Sequence, residues 1–91
     1  MEFEWDPAKA EHNVAKHGVT FDYATRAFLD PRRIGCEDSR RDDREERRIT
    51  LGKIGERVFA VVYTQRRDMV RLISARKANP REQRQYYDEA F

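Results

Sequence analysis

Six consecutive residues, Val58-Phe59-Ala60-Val61-Val62-Tyr63, are apolar or aromatic in a chain of 91 residues that is 40% charged. Side chains alternate between the two faces of a strand, so a run this uniform has no side suited to water. It reads as a central strand, apolar on both faces. The rest of the fold has to be assembled around it.

The flanking pattern supplies more strands. Arg48-Ile49-Thr50-Leu51 alternates, Gly52 to Gly55 reads as a turn, Arg66-Arg67 as the next turn, and Met69 to Ala75 as the following strand. Glu2-Phe3-Glu4-Trp5 also alternates and predicts a short half-buried strand. Asp6-Pro7 has the residues of a helix start, an N-cap followed by a proline at the first helical position. That helix is expected to reach His17, with Gly18 as its left-handed stop. Thr20 can cap a second helix with Phe21, Ala24, Ala27 and Phe28 on one face, ended by Asp30-Pro31. Asn79-Pro80-Arg81-Glu82 is close to a full capping box and opens a last helix, which has Tyr86, Tyr87, Ala90 and Phe91 to bury. The predicted order is strand, helix, helix, three or four antiparallel strands, helix. The fold class is α+β, an antiparallel sheet packed against two N-terminal helices and one C-terminal helix. Residues 1–91 form a single domain.

Composition narrows function. Cys36 is the sole cysteine, so an internal disulfide is excluded and a reducing cytoplasm suits the chain. No zinc-type spacing, cofactor motif, membrane-length apolar run or signal-peptide core is present, and no cofactor is expected. Charge is unevenly placed. Residues 66–84 hold seven Arg or Lys against two acids, a net of +5, while the whole chain nets +2. A concentrated basic surface marks a polyanion partner, most often nucleic acid. Residues 37–48 are all charged except Ser39, with six acids and five arginines, and read as a solvated, mobile loop and strand edge.

Turn lengths give an expected register. With even loops, Thr64 faces Met69 and Gly52 faces Arg57. One face then carries Ile49, Leu51, Val58, Ala60, Val62, Ile73 and Ala75 and packs on the helices. The other carries Glu46, Arg48, Thr50, Arg57, Phe59, Tyr63, Ser74 and Arg76, with Val61, Val70 and Leu72 among them. An odd loop would swap the faces. In the even register Arg57 lies opposite Arg76, a like-charge pair that an anion would relieve, and Glu46 lies opposite Tyr63. Arg47 and Arg71 fall on the apolar side, flanking Val62. Any single arginine here is adequately explained by solvation or by pairing with Glu45, Glu46 or Glu56; their clustering is what points to phosphate. His12 and His17 are about 140° apart on a helix, which argues against a shared metal site, and His17 beside Gly18 reads as a cation at a helix C-terminus.

Phe3-Glu4-Trp5-Asp6, Lys16-His17-Gly18-Val19, Phe21 with Ala24 and Phe28, Glu46-Arg47, Gly52, Val61-Val62-Tyr63-Thr64, Ser74-Ala75-Arg76-Lys77-Ala78, Glu82 and Tyr86 together resemble the BrnT family. These are toxins of BrnT/BrnA type II toxin–antitoxin pairs. The resemblance runs from residue 2 to about residue 87, and the Lys-His-Gly and Ser-Ala-Arg-Lys-Ala segments are fairly specific as a pair. It implies a RelE-like fold and a ribonuclease that arrests translation. It also implies a BrnA-like ribbon-helix-helix antitoxin in a 2:2 complex that contacts operator DNA through the antitoxin. The family's motifs map onto Glu46, Arg47, Arg71, Arg76, Lys77 and Glu82.

Metal-free RNA cleavage needs a base for the 2′-hydroxyl, an acid for the leaving 5′-oxygen and donors for the phosphorane charge. On the expected register the catalytic candidates are Arg76 and Arg71 for charge, Glu46 as base and Tyr63 for orientation or acid work. Arg47, Arg48, Arg57, Lys77 and Arg81 are the RNA-binding candidates. A binding module without chemistry would use the same basic face. A DNA-binding regulator fits less well, because the first two helices are separated by only Gly18-Val19-Thr20 and carry no basic recognition face.

Overall fold

The computed structural model describes residues 1–37 and 46–90. The chain runs β1 (Glu2–Trp5), α1 (Pro7–His17), α2 (Phe21–Ala24), a 3-10 helix (Thr25–Leu29), β2 (Ile34–Glu37), β3 (Arg48–Ile54), β4 (Arg57–Arg66), β5 (Met69–Lys77) and α3 (Pro80–Ala90). Of the stretch 37–48 expected to be mobile, residues 38–45 lie outside the described residues, as does the packing expected of residues 90 and 91.

Local signals act as the sequence indicates. Asp6 accepts a hydrogen bond from the Ala8 amide at 2.9 Å, and Gly18 ends α1 at φ 71° while its amide donates to the Val14 carbonyl. Thr20 accepts from the Tyr23 amide at 3.1 Å. Asn79 and Glu82 cap α3 reciprocally, at 2.9 and 2.8 Å.

The sheet is five-stranded in the order β1-β5-β4-β3-β2, with β4 central. It is mixed rather than purely antiparallel: β1 pairs parallel to β5, Glu2 with Met69 through Trp5 with Leu72. α1 to β4 lie between these two strands in the chain, so no local turn signal announces the pairing. β2 is a further strand at the opposite edge, paired antiparallel to β3.

Both hairpins pair two residues away from the expected register. Ile54 faces Arg57, leaving Gly55-Glu56 as the turn, with Gly55 at φ 63°. Gly52 is not a turn glycine. A Cβ there would sit 2.4 Å from the Ala27 carbonyl oxygen, so its bare backbone lets the 3-10 helix approach β3. Arg48, not Glu46, therefore faces Tyr63. In the second hairpin Arg66 faces Met69, and Arg67 takes φ 54° in the turn.

A β-bulge then changes the outcome further along β5. Tyr63 pairs with Leu72 but Val62 pairs with Ser74, so Ile73 is the extra residue. Beyond it every β5 side chain turns to the face opposite the one expected. Ala75 faces Val61 and joins the cluster of Phe59, Leu72, Phe21 and Phe28 under the N-terminal helices. Arg76 faces Ala60, on the side covered by α3. Arg57, opposite Ile54, is not opposite Arg76, which corrects the proposed guanidinium pair.

Both faces of the sheet are covered. α1, α2 and the 3-10 helix bury Phe59, Val61, Val70, Leu72 and Ala75; α3 brings Tyr86 onto Ile49, Leu51, Val58, Ala60 and Val62. The expected open face carrying Arg48, Tyr63 and Arg57 is thus one wall of a core. The two-sided apolar run of β4 required as much.

Candidate active site

β1 ends at Trp5, opposite Leu72, and the next stretch of β5 edge meets α1 instead of a strand. Asn13 makes that join. Its Nδ2 donates to the Ala75 and Val19 carbonyls, both at 2.9 Å, and its Oδ1 accepts from the Ala75 amide at 3.0 Å. The side-chain amide thus bonds Ala75 as a neighbouring strand's peptide would, which lets a polar residue sit 3% exposed in the middle of a helix face.

A cleft of about 360 Å³ lies along this junction. α1 contributes Lys9, His12, Asn13, Lys16 and His17; Ile73, Ser74 and Arg76 of β5 and Arg47 ahead of β3 complete the described lining. The lining holds two lysines, two arginines and two histidines, with no carboxylate among its described residues. Cations gathered around a concavity focus a positive potential into it and favour an anion.

Arg76 is held firmly in this lining. Its Nη1 and Nη2 donate to Glu82 Oε1 and Oε2 at 2.6 and 3.0 Å, a two-pronged pair that sets the plane of the guanidinium. Glu82 is itself fixed, because Oε1 also accepts from the Asn79 amide. Burial pushes the Glu82 carboxyl up, but the Arg76 and Asn79 bonds and the Arg76 charge outweigh it and leave it below the usual range. His17 is shifted down by burial first, then by Lys16, Arg76 and His12. This shift favours the neutral imidazole over the cation expected beside Gly18.

The remaining candidates are dispersed. Glu46 is exposed and 4.0 Å from Arg48. Tyr63 packs edge-on to Phe28, with ring centroids 5.1 Å apart, under the N-terminal helices. Arg71 pairs with Glu4 of β1 at 3.5 Å. Arg57 is exposed at the start of β4, Lys77 is exposed opposite Phe59, and Arg81 is exposed in the first turn of α3. Of the nine residues proposed from sequence, the fold brings Arg47 and Arg76 together in the cleft.

Lys9, His12, Asn13, Lys16, His17 and Ser74 were not among them. A signal existed for most: Lys9, His12, Asn13 and Lys16 recur at i, i+3, i+4 and i+7, one polar stripe on one helix face. The 140° between the two histidines argues against a shared metal ion. It does not stop both from lining a concavity that wraps the helix.

The family described as "Ribonuclease toxin, BrnT, of type II toxin-antitoxin system" matches residues 5–82. The chain belongs to the BrnT family. The match covers α1, the whole sheet from β2 to β5 and the Arg76–Glu82 clamp. No curated protein matches the chain. BrnT membership identifies a ribonuclease-toxin family and implies an RNA substrate and an antitoxin partner. Among the described residues, no helix is long and apolar enough to cross a membrane.

Proposed function

We propose that this chain is a cytoplasmic endoribonuclease that cuts RNA without a metal ion and thereby inhibits translation. The observation that carries this reading is the cleft between α1 and β5, where Lys9, Lys16, Arg47 and Arg76 surround a space about 360 Å³ in volume. A phosphodiester with its charge among these groups meets donors already in place. Arg76, its guanidinium plane set by the Nη1 and Nη2 bonds to Glu82, brings a fixed positive charge to the phosphate, and the charge that builds on the phosphorane is greater than that of the ground state. Lysines at the rim hold the flanking backbone. Hard divalent cations take oxygen ligands, mostly carboxylates. A described lining of cations and imidazoles is a poor host for one, which supports cleavage independent of metal.

A toxin of this kind is silenced when its cleft is covered. A BrnA-like ribbon-helix-helix antitoxin, in a 2:2 complex that meets operator DNA through the antitoxin, fills that role with an acidic segment over Arg47 and Arg76.

The test is cleavage of RNA by wild type and Arg76→Ala in the presence of EDTA, with thermal melts to confirm folding. Wild type is expected to cut in chelator, and the variant to be about 10²–10³-fold slower, the usual cost of losing one charge-stabilising donor. Loss of wild-type cutting on chelation, or an unaffected variant, would refute the proposal. Tight RNA binding with no cut ends would instead establish a binding module.

A further inference from the structure

We infer that His17 is the general base and His12 the general acid of RNA cleavage in this cleft. The inference rests on the ribonuclease reading above and assigns the proton transfers that the sequence alone placed on Glu46 and Tyr63.

Proton transfer needs groups that change charge near neutral pH and reach the reacting atoms. Lysine and arginine ordinarily titrate far above neutral pH, and a serine hydroxyl gives up a proton only to a base. Among the described residues lining the cleft, that leaves the two imidazoles. Neither Glu46 nor Tyr63 lines it; one is exposed beside Arg48, the other packed on Phe28.

The fold also fixes where the imidazoles stand. His17 is the last residue of α1, half-buried, and Gly18 closes the helix directly behind it. Asn13 ties the same helix to Ala75 by two hydrogen bonds, one residue from Arg76. The imidazole and the phosphate-binding guanidinium thus belong to one rigid joint. Helix geometry puts the Cα atoms of residues five apart at about 9 Å, and both imidazoles border the same concavity. The charged and titratable groups around His17 are Lys16 and His12 on its own helix and Arg76 from β5, with Lys9 and Arg47 in the same lining. Burial first, then Lys16, Arg76 and His12, lowers the His17 pKa and so favours the unprotonated form that a base needs.

The step balances. The 2′-oxygen attacks phosphorus as its proton passes to the His17 imidazole. The phosphorus–5′-oxygen bond breaks, and the departing oxygen takes a proton from the His12 imidazolium. The products are a 2′,3′-cyclic phosphate and a 5′-hydroxyl; solvent exchange restores both imidazoles. The substrate class is RNA with a free 2′-hydroxyl at the cut.

The experiment compares wild type, His17→Ala and His12→Ala on a short RNA and on its analogue bearing one 2′-deoxynucleotide at the cleavage position. Rates are followed from pH 4.5 to 9, with and without added imidazole, and the product ends are identified by mass. Wild type should leave cyclic-phosphate ends and spare the deoxy analogue, with the acid limb of kcat/KM inflecting below the ordinary imidazole value of about 6.5. His17→Ala should lose about 10²–10⁴-fold in rate, lose that acid limb, bind the deoxy analogue as wild type does, and regain activity with imidazole. Should alanine unfold the helix end, His17→Gln carries the same rate and pH test. A wild type that cuts while either His17 variant keeps its rate and acid limb would overturn this inference alone. A wild type that never cuts would overturn the ribonuclease reading and this inference with it.

Discussion

Replacing Tyr86 with phenylalanine tests how α3, and through Glu82 the cleft arginine, is held to the sheet. The ring is 3% exposed against the β3 and β4 face, and its hydroxyl donates to Asp30 Oδ2 at 2.5 Å. Asp30 also accepts from the Lys53 amide at 2.8 Å and the Arg32 amide at 2.9 Å, so one carboxylate joins the end of the 3-10 helix, β3 and α3. Burial, then the Asp30 hydrogen bond and charge, push the Tyr86 phenol up from 10 to about 12. At about 1.4 kcal/mol per pH unit, that preference for the neutral phenol is about 3 kcal/mol. The value of a hydrogen bond to a charged group, about 1.5–3 kcal/mol, is of the same size. The raised pKa sets the sign. The stabilisation is complete below pH 10, where the unfolded phenol is still protonated, and is lost as pH rises toward 12. Tyr86→Phe keeps the ring and removes the hydroxyl. It is expected to cost about 2 kcal/mol at pH 8, a fall in melting temperature of roughly 8–16 °C for a domain of this size. The stability gap between the two proteins should then close between pH 10 and pH 12, because the phenol that titrates is absent from the variant. Urea unfolding followed by far-UV circular dichroism at stepped pH measures both, and other tyrosines and lysines cancel in the difference. Equal stability at pH 8, or a gap that stays constant to pH 12, would refute the reasoning.

Asn13→Leu removes three hydrogen bonds from a buried site and leaves the Ala75 amide and carbonyl without that partner, so a loss of about 3 kcal/mol is expected in urea unfolding. Because the same residue joins α1 to β5, RNA binding measured by anisotropy should weaken even at temperatures where the variant is fully folded. Gly52→Ala places a methyl 2.4 Å from backbone at Ala27, and a melting temperature within 2 °C of wild type would contradict the observed approach of the 3-10 helix to β3. The expected loss is about 2 kcal/mol or more, since backbone on both sides must move.

Much of the secondary structure could be read from short segments. Asp6-Pro7, Gly18, Thr20 and the Asn79–Glu82 box each act through hydrogen bonds spanning two to four residues, so the signal and its partner lie in one stretch of chain. The apolar run from Val58 to Tyr63 required a central strand covered on both sides, and β4 is that strand. Arg76 and Arg47 are legible in the sequence as candidate phosphate-binding groups by their chemistry, and the fold brings both to the cleft.

The chain's own letters thus determined its helix ends, its central strand and its excess of basic groups. Tertiary structure decided which of those groups meet. Register rests on which glycine takes the turn, and Gly52 and Gly55 are alike in sequence until the 3-10 helix claims the space beside one of them. One extra residue at Ile73 then turns Arg76 to the opposite face, a reversal that no alternation rule contains because the bulge breaks the alternation itself. The cleft forms where β1 stops and Asn13 takes its place against Ala75, 62 residues away in the chain. A contact at that separation depends on how the sheet is ordered, and local propensity does not carry that information.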